Sequence, residues 1–95
     1  MKAIFSIRIV SKSGNNECTM RKITDLPFAP FVGMEIEDSV WKKPRPALSV
    51  CLSIDEDGQY LYIELGMYEV ATDKAFEQLL QAYLLKGWKK SSVNN

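Results

Sequence analysis

The sequence predicts an α+β fold: a mainly antiparallel, twisted sheet of five strands in β-β-β-β-β-α order, with one C-terminal helix packed on one face. Apolar and polar residues alternate in several segments before Val70, which is the period of a β-strand. After Thr72 the apolar residues recur at helical spacing instead. A chain of 95 residues fits one domain, so we predict a single α+β domain over residues 1–95.

Five segments show the strand pattern, and they are residues 2–10, 18–24, 31–37, 48–54 and 60–68. Arg21 and Lys22 in the second segment favour a place at the edge of the sheet, where charge discourages pairing with another molecule. Pro27 and Pro30 cannot donate ladder hydrogen bonds, which indicates an extended connection between the second and third segments. A loop with two further prolines, residues 38–46, precedes the fourth segment.

The fourth and fifth segments are predicted to form a hairpin. A two-residue type I′ turn at Asp57-Gly58 would place Leu52 opposite Ile63, and a four-residue loop would preserve the same faces. In both cases the apolar residues of the hairpin face the helix. These residues are Leu48, Val50, Leu52, Ile54, Leu61, Ile63, Leu65 and Met67.

The helix is predicted from Asp73 to Lys86. Thr72 is a favourable N-cap, and Gly87 suits the position after the last helical residue. The apolar residues of the helix cover an arc of about 200°, which is wider than one sheet face needs. We therefore expect either flanking loops or a second subunit to cover part of the helix. The tail, residues 91–95, is expected to fray.

Residues that carry chemistry are few. The chain has no histidine, which removes the commonest general base and the commonest transition-metal ligand. It also lacks a glycine-rich phosphate loop, a nucleophile elbow and a Cys-x-x-Cys motif. We interpret the acidic segment from Ser53 to Glu64, which partly matches a calcium loop, as a hairpin turn. We therefore predict that the protein is not an enzyme and binds no cofactor and no metal.

Charge and hydropathy limit the partners. Twelve basic and twelve acidic residues cancel, which does not favour nucleic acid as a partner, and no apolar stretch approaches the ~20 residues of a membrane span. Cys18 and Cys51 are expected to be free thiols in a reducing cytoplasm, although a disulfide would be open to them if their strands were neighbours. In size and composition the chain resembles the small accessory proteins of bacteria, phages and mobile gene cassettes.

The polar face of the hairpin is the predicted interaction face, and it combines large and small side chains: Tyr60, Tyr62, Tyr68, Ser49, Cys51 and Ser53. Tyrosine supplies contact area and a hydrogen-bonding tip at low entropic cost. We therefore predict a non-catalytic interaction module, most simply a homodimer through this face or through the wide apolar face of the helix. Alternatively, these rings pack on the stems of Arg8 and Lys22 on a half-wet surface.

Two other functions remain open. A small-molecule binder would have a pocket between sheet and helix, lined by Phe5, Met34, Met67, Phe76 and Tyr83. A weak binder of single-stranded nucleic acid, or of another anionic partner, would use the two Trp-Lys-Lys segments together with the arginine nearby: Trp41, Lys42, Lys43, Arg45, Trp88, Lys89 and Lys90. The simpler interpretation of the first of these segments is a proline-stiffened loop whose tryptophan covers one edge of the core.

Overall fold

The structure, a computed structural model, describes residues 1–91. The predicted frayed tail at 91–95 therefore lies, apart from its first residue, outside the described residues. In chain order the elements are β1 (Lys2–Ser11), β2 (Glu17–Asp25), β3 (Glu35–Ile36), β4 (Arg45–Pro46), β5 (Ser49–Asp55), β6 (Gly58–Val70), α1 (Asp73–Leu85) and β7 (Lys89–Lys90). The predicted α+β class is confirmed: α1 packs on one face of a five-stranded, mostly antiparallel sheet.

The main sheet has the strand order β5-β6-β1-β2-β7. It consists of two antiparallel hairpins, β1-β2 and β5-β6, which meet where β6 pairs with β1 in parallel. The helix follows β6 and leads to β7, which pairs antiparallel with β2 at the far edge. This connection places α1 across one face of the sheet, where it packs against β1, β6 and β7.

The third predicted strand, residues 31–37, is mostly not a strand. Only Glu35 and Ile36 pair, with β4, in a separate two-stranded sheet. Pro30 directly precedes this segment, and Pro46 lies opposite Glu35 in the short sheet, so both prolines restrict pairing. In addition, Gly33 has a φ of +91°, which interrupts an extended strand. The fifth strand of the main sheet is instead β7, which comes after the helix and is only two residues long.

The β5-β6 hairpin turns one position earlier than predicted. Its two loop residues are Glu56 and Asp57, and the positive φ is found only at the next residue, Gly58. The carboxylate of Asp55 accepts a hydrogen bond of 2.9 Å from the backbone N–H of Asp57, which fixes the turn. As a result Leu52 pairs with Leu61, so the predicted register is wrong by two residues while the faces are preserved.

A β-bulge at Gly66 reverses the two faces of β6. The register between β1 and β6 shifts after Ser6, and Gly66 has a φ of +90° at this point. Leu65 and the preceding odd-numbered residues face the helix, but beyond the bulge Tyr68 faces the helix. Met67 lies on the opposite side, where its sulfur contacts Arg8. The predicted placement of Tyr68 and Met67 is therefore wrong.

The core lies between the sheet and the helix. Thr72 caps the helix as predicted, since its hydroxyl accepts a hydrogen bond of 3.0 Å from the N–H of Ala75. Part of the wide apolar arc is left in solvent: Leu84, at one side of the arc, is 39% exposed. The buried cluster consists of Ala3, Phe5, Ile7, Ile9, Met20, Ala47, Leu61, Ile63, Leu65, Val70, Phe76, Leu80, Tyr83 and Trp88.

We expect Gly66→Ala to lower the free energy of unfolding by about 1–2 kcal/mol, because a left-handed backbone disfavours a Cβ atom. The added Cβ would meet the end of the flexible, exposed Leu48 side chain, which can move aside. Gly33→Ala is the matched control, since Gly33 has the same backbone sign and no neighbour within 4 Å. Urea denaturation should give similar losses, and an unchanged stability of Gly66→Ala would contradict the bulge.

Candidate functional site

The open face of the sheet, opposite α1, carries part of the predicted interaction face. Tyr60 lies beside Ser53, Tyr62 beside Cys51, and Ser49 beside Glu64. Tyr60 is half-buried under the ammonium group of Lys2, which lies 5.2 Å from the ring centroid. The four predicted residues Tyr60, Tyr62, Ser49 and Ser53 thus share one face, and Tyr68 does not.

Charged side chains occupy the neighbouring part of the open face. Arg8 donates two hydrogen bonds, of 2.8 and 2.9 Å, to the carboxylate of Glu17, and these hold the pKa of Glu17 below its usual value. Both side chains are about half exposed, so this pair adds little stability. Lys22 lies on the other side of the sheet, where it pairs with Asp38. The open face is therefore a mixed, solvated surface.

The apolar side of β5 is exposed, contrary to the prediction that the helix covers it. Leu52 is 50% exposed and Ile54 is 68% exposed, while Val50 is half-buried. Leu48, just before the strand, is also exposed. The reason is the strand order: β5 is at the edge of the sheet, whereas α1 packs against β1, β6 and β7.

The two edges of the sheet differ in their protection. Within residues 1–91 β5 pairs with β6 alone, so every second residue of this seven-residue strand directs its backbone N–H and C=O away from the sheet without a partner strand. It has no proline and no basic residue, and Asp55 is its single charge. The far edge consists of the two-residue β7, formed by Lys89 and Lys90, and of β2 with Arg21 and Lys22. Short strands and cations discourage pairing, so β5 is the unprotected edge.

The two predicted Trp-Lys-Lys segments meet through their tryptophans. Trp41 and Trp88 have ring centroids 5.7 Å apart, and Tyr83 meets Trp88 edge-on at 5.3 Å. The indole N–H of Trp41 donates a hydrogen bond of 2.7 Å to the hydroxyl of Tyr83. Trp88 is 2% exposed and Tyr83 is 1% exposed, so these rings belong to the core. The interpretation of Trp41 as the cover of a core edge is confirmed.

An ion pair attaches the same loop to the sheet. The ammonium group of Lys22 lies 2.6 Å from the carboxylate of Asp38 and 5.8 Å from the ring centroid of Trp88. Burial raises the pKa of Asp38, but hydrogen bonds from Lys22 and from the backbone N–H of Val40 outweigh it and lower the pKa. The loop is therefore attached by two contacts, the hydrogen bond from Trp41 to Tyr83 and the ion pair between Asp38 and Lys22.

The residues predicted to line one pocket are divided among several places. Phe5 and Met34 line a cavity of about 370 Å³ beneath the segment from Leu26 to Trp41. Tyr83 lines a second cavity of about 540 Å³, and Phe76 lines a third of about 480 Å³. Met67 lies on the open face. The predicted single pocket is therefore not formed.

The second cavity is lined by residues from three different predicted sites: the pocket, the interaction face and the anionic-partner loop. Its walls come from the loop after Val40, from the helix and from β6 beyond the bulge. Trp41, Lys42, Lys43 and Arg45 of the predicted anionic-partner set line it, whereas Trp88, Lys89 and Lys90 do not. Tyr68 and Leu79 complete it and were not predicted there. Gly66 is an isolated glycine within a strand pattern, and such a glycine indicates a bulge. A bulge at this point predicts that Tyr68 faces the helix.

Residues 1–91 contain neither a cluster of metal ligands nor a membrane-spanning helix. In this part of the chain no three or more cysteine and acidic residues are grouped so as to hold a metal ion. No helix of the same residues is long and apolar enough to cross a membrane. Cys18 and Cys51 are both free, since their strands β2 and β5 are separated by β1 and β6.

We expect Tyr83→Phe to lower the free energy of unfolding by about 1–3 kcal/mol, because it leaves the partly buried indole N–H of Trp41 without its acceptor. Tyr62→Phe is the matched control, since it removes the hydroxyl of a more exposed tyrosine. Chemical denaturation of both variants measures the difference. Equal losses would show that the Trp41–Tyr83 hydrogen bond contributes no specific stability.

Comparisons with known proteins give no relative to this chain. No protein-family model matches it, and neither the curated proteins nor the solved structures contain a match. The surfaces described above are therefore the basis for any statement about function.

Proposed function

We propose that the protein is a non-catalytic interaction module that forms a homodimer by antiparallel pairing of the β5 edges of two copies. The observation that carries this proposal is the unprotected edge: a seven-residue strand whose alternate residues have unpaired backbone groups, with Leu52 and Ile54 exposed on its apolar side. Such an edge is a template for pairing with another strand. The dimer would have one continuous sheet made from both copies.

The sequence of β5 suits pairing with itself. If the two-fold axis passes beside Leu52, then Leu52 faces Leu52 of the partner subunit, and Val50 faces Ile54 of the partner subunit. These apolar pairs all lie on the helix side. Asp55, the single charge of the strand, then faces Ser49 of the partner subunit rather than another carboxylate. Cross-strand apolar pairs stabilise a sheet, and no like charges are opposed.

The difference between the two edges favours a closed dimer. A chain with two open edges could add copies without limit, but the far edge carries Arg21, Lys22, Lys89 and Lys90. Pairing through β5 therefore uses the one edge of each copy that has no basic residue, and it stops at two. The open face is a weaker candidate, because Arg8 and Glu17 would have to lose their hydration there. A cytoplasmic location and the absence of enzyme activity stay predictions from the sequence.

Leu52→Lys tests the proposal directly. Light scattering after size exclusion should give about twice the chain mass of 10.8 kDa for the wild type and the monomer mass for the variant. The reason is that two lysines would face each other across the two-fold axis. Circular dichroism should show an unchanged fold, since Leu52 is half exposed.

Tyr62→Lys is the control, because it adds the same charge to the open face next to β5 and should leave the dimer intact. A monomeric wild type at millimolar concentration would contradict the proposal. A dimer that survives Leu52→Lys but dissociates with Tyr62→Lys would place the interface on the open face.

A further inference from the structure

We infer that the second cavity binds a small phosphate ester with a flat aromatic group, of the size of a mononucleotide. The cavity of about 540 Å³ lies between the loop after Val40, the helix and β6. We call it the cationic cavity after its three basic residues, Lys42, Lys43 and Arg45. This inference does not depend on the dimer, since none of these residues belongs to β5.

The charge of the cationic cavity has one sign. Its three ionic residues, Lys42, Lys43 and Arg45, are all basic, and no acidic residue lines it. Asp38, which lies in the neighbouring part of the loop, is already paired with Lys22 at 2.6 Å. A low-dielectric recess with several cations attracts an anion, and a phosphate dianion gains more from three cations than a single carboxylate does.

Arg45 is the residue that most needs an anionic partner. Its guanidinium is half-buried, and no carboxylate within residues 1–91 forms an ion pair with it. Its Nη2 reaches the carbonyl oxygens of Leu65 and Met67 only at 3.5 Å, the limit of a hydrogen bond. Its Nε is shielded from solvent and has no hydrogen-bond partner in the same part of the chain. A guanidinium with such weak partners carries an uncompensated desolvation cost, which the charge of a phosphate bound beside it would reduce.

The remaining walls suit an aromatic group. Trp41 and Tyr68 contribute rings and Leu79 adds an apolar surface, whereas Tyr83 also lines the cavity but is only 1% exposed. Tyr68 is exposed, and the guanidinium of Arg45 lies 5.7 Å from its ring centroid, so a phosphate on Arg45 would hold an attached ring close to Tyr68. The volume falls within the range of about 300–1,000 Å³ typical of small-molecule sites. A longer polynucleotide would need successive exposed rings, and Trp88 is buried.

An NMR titration of the wild-type protein tests this inference with three probes: adenosine 5′-monophosphate, inorganic phosphate and adenosine. We expect the mononucleotide to shift the indole N–H signal of Trp41 and the amide signals of Val40 to Lys43 and of Tyr68 in a saturable manner. Phosphate alone and adenosine alone should bind more weakly, because each occupies one half of the site. Equal affinities for phosphate and mononucleotide would overturn the aromatic half of the inference.

Arg45→Gln should weaken binding of adenosine 5′-monophosphate about tenfold or more, since a hydrogen bond to a charged group of this kind is lost. Should that variant fail to fold, Lys42→Gln with Lys43→Gln provides a second test at two exposed positions. Lys89→Gln is the control, because it removes one positive charge outside the cavity. No saturable shift at millimolar mononucleotide, or an equal loss in Lys89→Gln, would overturn the inference.

Discussion

The structure depends on a mismatch of width between one helix and a five-stranded sheet. Strands lie about 4.8 Å apart, so five strands span about 19 Å between the outer two, whereas a helix with its side chains is about 10–12 Å wide. α1 therefore covers part of one face of the sheet, where it packs against β1, β6 and β7, and leaves the β5 edge uncovered. The rest of that face is either covered by the segment between β2 and β5 or left in solvent. At β5 it is left in solvent, and this is the origin of the candidate interface.

The segment between β2 and β5, which covers the part of this face away from β5, is held by the aromatic cluster of Trp41, Tyr83 and Trp88. Tyr83 comes from the helix, Trp88 from the turn after it, and Trp41 from the long loop. The partly buried hydrogen bond from Trp41 to Tyr83 and the Lys22–Asp38 ion pair fix the loop on this cluster. The same loop has basic residues next to Trp41, so the contact that completes the core also forms one wall of the cationic cavity. Trp41 therefore belongs both to the packing around the core and to the wall of the cationic cavity.

The class and the helix could be predicted from the sequence because periodicity and capping are local signals. Thr72 caps the helix as expected, and the alternation of β1 matches its buried side. A shift in register by two residues leaves every side chain on the same face, so alternation does not detect it. For this reason the sequence predicts that Leu52 pairs with Ile63, whereas it pairs with Leu61. Alternation also fails after a bulge, as Tyr68 shows, and it has nothing to detect in the two residues of β7. Strand order depends on contacts between distant segments, so the exposure of β5 could not be inferred from alternation.

Amide hydrogen exchange of the wild-type protein at micromolar and millimolar concentration tests the central claim, that β5 is an edge made for pairing. The decisive signals are the β5 amides that do not bond to β6. Our account predicts that they exchange fast at low concentration and slowly at high concentration, because pairing with a second copy gives them acceptors. Fast exchange of these amides at both concentrations, with the β6-bonded amides protected, would contradict it.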